Sequence, residues 1–269
     1  MHTSISTILF FIVLSTLSFS KALAESSDYQ FNPEDPHHAL YIPDNQTHAP
    51  AILMLHASTG IENVNHDWAR RLREQGYVVY IIDSFTPRGW EDRRSVGWET
   101  ATQAQLNDLV PAYEYLSHLP FVDPENIGLL GFSMGGFDVL KVMTESNNPK
   151  NYQQLNFKVA ASFYGVCHRL DNNTILKANT KLFIGENDDR ATTQDCVQLI
   201  HNSSEVNPNI DIQIYSHALH GFDNFEFPES KEIIDEKGEH YHIGFDAAAR
   251  AEALKDLPDY FDRALKPAQ

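Results

Sequence analysis

The sequence predicts an α/β fold with a mostly parallel central sheet and helices on both faces. Short apolar runs, which suit strands buried on both faces, alternate with longer segments of helical periodicity. The 269 residues are 42% hydrophobic and 21% charged, as is typical of a globular protein. Because no repeat, low-complexity run or linker divides the chain, we expect one domain over residues 25–269.

The strands follow from apolar runs and their breakers. An edge strand is expected at 38–42, where Pro43 and a turn-prone Asp-Asn pair end it. The runs AILML and YVVYII predict buried strands, and IDIQIY alternates and is expected to be the last strand. The expected strands lie at residues 38–42, 51–55, 77–82, 126–130, 159–163, 181–184 and 210–215.

The helices follow from apolar residues at helical spacing. Gly76 ends the first helix well, because glycine readily adopts positive φ. In the second helix Pro111 indicates either a kink or a helix start. The expected helices lie at residues 68–75, 100–119, 135–144 and 247–265. Since ligand sites in parallel sheets lie beyond the carboxyl ends of the strands, we expect the chemistry in the loops there.

The N-terminus is typical of an export signal. An apolar run at residues 8–19 is shorter than a membrane span and is followed by Ala22-Leu23-Ala24 before Glu25. This predicts a signal peptide at 1–24 and a periplasmic or secreted protein without stable membrane association after cleavage. The first residues contain no Lys or Arg, which leaves a retained N-terminal anchor as the alternative.

The net charge and the two cysteines bear on the partners and the cellular compartment of the protein. A formal charge of −17 repels phosphate backbones, so nucleic acid is not an expected partner. In an oxidising compartment Cys167 and Cys196 are expected to form a disulfide, with two buried thiols as the alternative. The histidine pairs of the chain lack carboxylate or cysteine partners at ligand spacing, so we expect neither a metal nor another cofactor.

The strongest motif follows the strand at 126–130. Gly131-Phe132-Ser133-Met134-Gly135 is a G-x-S-x-G sequence between a strand and a helix, where a sharp turn presents the serine hydroxyl above the sheet. This arrangement is typical of the α/β-hydrolase fold. We therefore predict Ser133 as a nucleophile.

A serine nucleophile needs a histidine base and an orienting carboxylate, which follow it in the order acid, then histidine. The loop after KLFI contains Asp188, and the loop after IDIQIY contains His220. Asp189 is the rival acid and His217 the rival base. We predict the triad Ser133, Asp188 and His220.

An acyl transfer site also needs donors for the developing oxyanion. The backbone N–H of Met134 follows the nucleophile and is one candidate. The loop His56-Ala57-Ser58 supplies the other, with Ser58 favoured over Ala57 and His56 expected to brace the loop.

Three residues are candidate substrate contacts. Arg88 follows a strand and is expected either to bind an anionic substrate group or to form a surface ion pair. Trp90 and Phe222 are expected either to line the substrate pocket or to pack in the core.

Residues from about 50 to 265 resemble the dienelactone hydrolase family. The resemblance is carried by LHASTG, DWARRLREQGY, DSFTPRG, GFSMGG, GENDD, HGFD and KGEHYHIGFDAAARAEA. It implies a small, lidless hydrolase of esters or lactones that acts without a metal through Ser133, His220 and Asp188.

Two departures from the family count against dienelactone itself as the substrate. The family proper uses a cysteine nucleophile where this chain has Ser133, and a glutamate where this chain has Ala57. We expect a carboxylic-ester hydrolase acting on a small molecule. The alternatives are a peptidase or acyltransferase on the same scaffold and a catalytically silent binding protein, while the oligomeric state is not predicted.

Overall fold

The computed structural model describes residues 29–44, 47–145, 152, 154–235 and 237–266. The predicted signal peptide at residues 1–24 lies outside these ranges. Within them, no helix is both long and apolar enough to cross a membrane.

A seven-stranded sheet organises the described part of the chain, in the order β1-β3-β2-β4-β5-β6-β7. Strand β1 is antiparallel to β3, and every other neighbouring pair is parallel. The predicted mostly parallel sheet is confirmed. Its strands are β1 (Ala39–Tyr41), β2 (Ala49–Leu55), β3 (Val78–Ile82), β4 (Val122–Phe132), β5 (Val159–Phe163), β6 (Thr180–Gly185) and β7 (Ile210–Tyr215).

Five α-helices accompany the sheet in the described ranges: α1 (Asn63–Glu74), α2 (Trp98–Ser117), α3 (Met134–Val142), α4 (Thr193–Ser204) and α5 (Ala247–Leu265). Helix α1 begins earlier than predicted because the Asn65 side chain accepts the backbone N–H of Glu62 at 2.9 Å, which stabilises an extra first turn. Pro111 lies inside α2 and does not mark its start.

The core lies on both faces of the sheet, and strand β2 shows why. Its alternate residues Ile52 and Met54 pack in one cluster with α1 and α5, through side chains such as Trp68 and Phe261. The intervening Leu53 packs in a second cluster with α2 and α3. A strand buried on both faces must be apolar throughout, which explains its continuous apolar run.

The expectation that IDIQIY is the last strand was wrong. Strands β8 (Lys231–Ile234) and β9 (His240–Ile243) follow it and pair antiparallel outside the main sheet. We call these two strands and their connecting turn the cap hairpin. Its residues are largely exposed and mostly polar, so it lacks the buried apolar run from which the other strands were predicted.

Candidate active site

Ser133 lies at the turn between β4 and α3. Its backbone has φ 51° and ψ −106°, a conformation that L-residues rarely adopt. The turn is fixed by the Ser133 N–H, which donates to the carbonyl of Phe163 at 2.9 Å, and by the Ser133 carbonyl, which accepts from Phe137 at 2.9 Å. Such strain is typical of residues held in place for function.

Glycine at position 135 allows this turn to pack against the end of β2. A Cβ atom added there would lie 2.6 Å from the carbonyl oxygens of Leu55 and His56, well inside van der Waals contact. The close approach places the N-terminus of α3 beside the loop that follows β2. The glycines of the G-x-S-x-G motif are therefore needed for space.

The predicted nucleophile and base lie together. The Ser133 Oγ atom is 2.9 Å from Nε2 of His220, which follows the end of β7. His220 is 6% exposed, so its imidazole is held in a nearly buried position. A hydroxyl at this distance from an imidazole nitrogen can pass its proton directly to it.

The predicted acid completes the chain of hydrogen bonds. His220 Nδ1 lies 2.9 Å from Oδ2 of Asp188, while Asp188 Oδ1 accepts the backbone N–H groups of Arg190 at 3.0 Å and Ala191 at 2.7 Å. The carboxylate thus both orients the imidazole and caps the following turn. The rival Asp189 instead accepts hydrogen bonds from His242 of the cap hairpin.

The two other histidines named from the sequence lie elsewhere. His217 is exposed and lies beside Glu186. His56 is fully buried: its Nδ1 donates to the carbonyl of Ala57 at 2.6 Å and its Nε2 accepts the N–H of Ser84 at 3.2 Å. Burial lowers the pKa of His56, so the ring is neutral and braces this loop.

The predicted oxyanion donors lie near Ser133. Met134 is the first residue of α3, where a backbone N–H has no acceptor within its own helix. Ala57 and Ser58 line the same cavity as Ser133 and His220. The helix N-terminus adds a partial positive charge beside Ser133.

The cavity has a volume of about 390 Å³ and opens over Ser133. Its walls come from the loop after β2, from α1, and from the cap hairpin, which the prediction of a lidless site did not include. One wall carries Glu62, whose pKa burial raises. The remaining lining combines apolar side chains with charged ones, including Val64, Trp98, Phe227, Ile233, Tyr241, Ile243, Arg190 and Asp235.

Arg88 does not contact this cavity, which corrects its expected role in substrate binding. Its guanidinium forms two hydrogen bonds of 2.7 Å with Asp108, and both side chains are almost completely buried. Its Cζ atom also lies 3.9 Å from the ring centroid of Tyr29 and 5.7 Å from that of Trp90. Arg88 therefore forms a buried ion pair, whereas the alternative considered from the sequence was a surface ion pair.

The two aromatic candidates also lie outside the cavity. Trp90 is buried against Phe85, with ring centroids 6.0 Å apart, and lines a separate depression beside Arg88. Phe222 is completely buried and stacks against Phe163 with centroids 6.0 Å apart. Both residues pack in the protein interior, the second of the two roles considered for them.

A buried polar network beneath His220 was missed by sequence reasoning. The Tyr164 ring packs edge-on against the imidazole with centroids 4.8 Å apart, and its hydroxyl donates to Asp223 at 2.7 Å. Asp223 also accepts the indole N–H of Trp68 at 2.7 Å. Tyr164 has φ 39°, and burial raises its pKa well above the usual value, so it stays neutral. The HGFD segment pointed to Asp223, whereas no sequence signal pointed to Tyr164.

The cysteines form a disulfide in the structure. Cys167, in a short 3-10 turn after β5, is bonded to Cys196 in α4, with Cα atoms 5.2 Å apart. Helix α4 follows the loop of Asp188, so the bond links the segment after Tyr164 to the region of Asp188. In the described ranges, no group of three or more metal-ligating side chains is brought together.

The fold agrees with comparisons to known proteins. The model of the dienelactone hydrolase family matches residues 37–265. A Synechocystis sp. protein assigned as a carboxymethylenebutenolidase is 24% identical over 238 residues, which cover 81% of this chain and 87% of that protein.

Two solved structures share the fold at low sequence identity. The dienelactone hydrolase of Anabaena variabilis has a TM-score of 0.60 and 18% identity, over 85% of this chain and 92% of that one. The apo form of Thermogutta terrifontis esterase 2 has a TM-score of 0.63 and 15% identity, over 86% and 91%. The family match extends over most of the chain, which therefore belongs to the dienelactone hydrolase family of α/β-hydrolases.

Proposed function

We propose that the chain hydrolyses carboxylic esters or lactones through an acyl-enzyme formed on Ser133. The observation that carries the proposal is the unbroken pair of hydrogen bonds from Ser133 through His220 to Asp188, at the floor of a cavity. Membership of the dienelactone hydrolase family supports the reaction class. A structurally similar protein, Thermogutta terrifontis esterase 2, is phosphorylated by paraoxon, which supports an esterase assignment for the shared fold.

In the first half-reaction, Nε2 of His220 accepts the hydroxyl proton as Oγ of Ser133 attacks the substrate carbonyl. Asp188 keeps the imidazole proton on Nδ1, which leaves Nε2 as the basic nitrogen. The negative charge that develops on the carbonyl oxygen is stabilised by the backbone N–H groups of Met134 and Ser58. His220 then returns the proton to the leaving alcohol, and the acyl group remains on Ser133.

In the second half-reaction, His220 removes a proton from water, and the resulting hydroxide attacks the acyl carbonyl. The same two N–H groups stabilise the second tetrahedral intermediate. Collapse of this intermediate releases the carboxylic acid and returns the proton to Oγ of Ser133. A lactone follows the same steps, except that its leaving alcohol stays attached to the acyl group.

The proposal is tested by hydrolysis of p-nitrophenyl esters and of simple lactones by the wild type and by Ser133→Ala. We expect turnover by the wild type and its loss by orders of magnitude in a folded Ser133→Ala protein. Hydrolysis of anilides at rates comparable to esters would indicate a peptidase instead, and transfer to an added alcohol an acyltransferase. A wild type that binds esters without turnover would indicate a silent binding protein.

We also propose that the protein is exported to the periplasm or beyond the cell. The apolar run at 8–19 and the Ala-Leu-Ala sequence support a cleaved signal, and the Cys167–Cys196 disulfide supports an oxidising compartment. Cell fractionation followed by mass spectrometry of the mature N-terminus tests this. A mature chain that begins at Glu25 is the expected result, and intact cytosolic protein would contradict it.

A further inference from the structure

The cap hairpin has two chemically different faces. Ile233 pairs with Tyr241 and Lys231 pairs with Ile243, and all four side chains line the cavity over Ser133. On strands, alternate side chains point to opposite faces. The other face carries exposed Glu232 and His240, which lie 2.8 Å apart, and Ile234, which is 60% exposed and reaches the edge of the cavity. The face toward Ser133 is therefore apolar apart from Lys231 at its edge, and the face toward solvent is mostly polar and charged.

One end of the cap hairpin is bonded to the loop that carries His220. The backbone N–H of Gly244 donates to the His220 carbonyl at 3.1 Å, and Ile243 forms a parallel bridge with His220. The Tyr241 ring also lies edge-on to the imidazole, with centroids 6.4 Å apart. The position of the hairpin is thus fixed relative to the base of the triad.

The turn of the cap hairpin is bonded to the loop that carries Asp188. Arg190 donates its backbone N–H to Asp188, and its guanidinium lies 3.1 Å from Oδ2 of Asp235, with side chains 8% and 1% exposed. The other oxygen of Asp235 accepts the backbone N–H groups of Lys237 and Glu239. A buried ion pair therefore joins the hairpin turn to Arg190, two residues after Asp188, and the exposed His242–Asp189 contact joins β9 to the same loop.

From these contacts we infer that the cap hairpin is the specificity-determining element of the site. It selects esters that carry an apolar group close to the reacting carbonyl, and the Arg190–Asp235 pair positions it. This inference rests on the proposed ester hydrolysis. Ile233 and Ile243 form the wall that meets the apolar group, while Val64, Trp98 and Phe227 line the same cavity from other parts of the chain.

Two of the arginines that line the cavity fit this inference because each already forms an ion pair with a carboxylate of the protein. Arg190 is paired with Asp235, and its Cζ lies 4.6 Å from the Tyr241 ring centroid. Arg94 is paired with Asp92 at the exposed rim. Burying a hydrocarbon group against the remaining apolar wall is favourable in proportion to its area, so longer or branched groups gain more than acetyl.

Substitution of Ile233 tests the wall directly. Two series are measured: p-nitrophenyl esters of increasing acyl length, and acetates of alcohols of increasing size. One of the two series has its variable group against Ile233. In that series, we expect Ile233→Trp to lower kcat/KM for the larger esters by about tenfold or more relative to the smallest ester. Ile233→Ala is expected to move the preference toward still larger groups. The matched control Glu232→Gln, on the solvent face, is expected to leave both profiles unchanged.

Substitution of Asp235 tests the positioning pair. We expect Asp235→Asn to raise KM about tenfold for the larger esters and by less than about threefold for the smallest. Loss of stability alone would lower activity on every ester equally. Glu239→Gln is the control, because Glu239 also lies near Arg190, at 3.7 Å, but is exposed.

The cap hairpin can also be removed as a unit. The N–H of Phe245 donates to the Pro228 carbonyl at 2.8 Å, and a Cβ on Gly244 would collide with the Glu229 carbonyl, so the two ends of the segment are already adjacent. Replacing residues 230–243 by a two-residue Gly-Ser linker is expected to flatten the size preference.

The outcomes separate this inference from the function on which it rests. A wild type active on esters whose size profile is the same in Ile233→Trp, Ile233→Ala and Asp235→Asn would overturn the role of the cap hairpin and leave the esterase intact. A wild type inactive on both series would overturn the proposed function first. A changed profile in either series, with Glu232→Gln unchanged, supports the inference.

Discussion

Nδ1 of His220 lies 2.9 Å from Oδ2 of Asp188, whose side chain is completely shielded from solvent. Asp188→Asn keeps the shape of this side chain but removes its charge. If the amide NH2 faces His220, Nδ1 must accept a hydrogen bond, and the imidazole proton moves to Nε2, where it blocks the basic nitrogen. We expect kcat on p-nitrophenyl acetate to fall by about 10⁴ with the fold retained. Asp189→Asn is the matched control, because the neighbouring carboxylate contacts His242 and not His220. Equal activity of the two variants would contradict the assignment.

The buried Arg88–Asp108 pair leads to a prediction about stability and not about substrate. Replacing Arg88 by Met leaves the Asp108 carboxylate buried without its bidentate partner, which typically costs about 3–5 kcal/mol. We expect the free energy of unfolding, measured in urea, to fall by that amount. The kcat/KM of the protein that remains folded should change by less than about threefold. A selective rise in KM with unchanged stability would instead restore Arg88 as a substrate contact.

The disulfide stabilises the region between β5 and α4. Its cysteines are 29 residues apart, and closing a loop of that length is worth about 3–4 kcal/mol in a chain-entropy model. The Cys167→Ser/Cys196→Ser double variant should therefore unfold at lower urea concentration by an equivalent free energy. Adding dithiothreitol to the wild type should reproduce the loss, and adding it to the double variant should change nothing further. Equal stability of oxidised and reduced wild type would show that the bond contributes no net stability.

The buried carboxyl of Asp138 leads to a prediction about how the free energy of unfolding depends on pH. It lies in α3, is completely buried, and has no hydrogen-bond partner for either carboxylate oxygen among the described residues. Burial raises its pKa well above the usual value, so the folded state holds a proton that the unfolded chain releases near pH 4. The stability contributed by this group is therefore lost as pH rises above about 4, toward the folded pKa.

Asp138→Asn removes this ionisation while it keeps the side-chain shape. We expect the variant and the wild type to have similar unfolding free energies near pH 4. By pH 8 the variant should be the more stable of the two, because only the wild type must then bury a charge or hold a proton that the unfolded chain has released. Urea unfolding at several pH values checks this, with Asp195→Asn at the start of α4 as a carboxylate control. A gap that is constant with pH would show that Asp138 does not titrate differently in the folded state.

The sheet was predictable because its strands are buried on both faces. Continuous apolar runs such as AILML and YVVYII do not fit half-exposed segments, which would alternate apolar and polar residues. Elements β5, β7 and α5 begin and end at the predicted residues. The positions of Ser133, Asp188 and His220 followed from the rule that loops at the carboxyl ends of parallel strands meet at one edge. Their juxtaposition is therefore a consequence of strand order.

The surroundings of the site were less predictable because they depend on contacts between distant segments. Arg88 follows a strand as a substrate contact would, yet its partner Asp108 lies on α2 and could not be identified by spacing. The cap hairpin has no continuous apolar run, since only one of its faces is covered. The left-handed backbone of Tyr164 beneath His220 leaves no trace in composition or periodicity.

The most direct test of the central claim is covalent labelling of the nucleophile. The wild type and Ser133→Ala are incubated with paraoxon, and their intact masses and peptides are compared. We predict one diethylphosphoryl group on the wild type, located on Ser133, with loss of esterase activity in step with labelling and no label on Ser133→Ala. Stoichiometric labelling of another residue, or full esterase activity in a folded Ser133→Ala protein, would contradict the account.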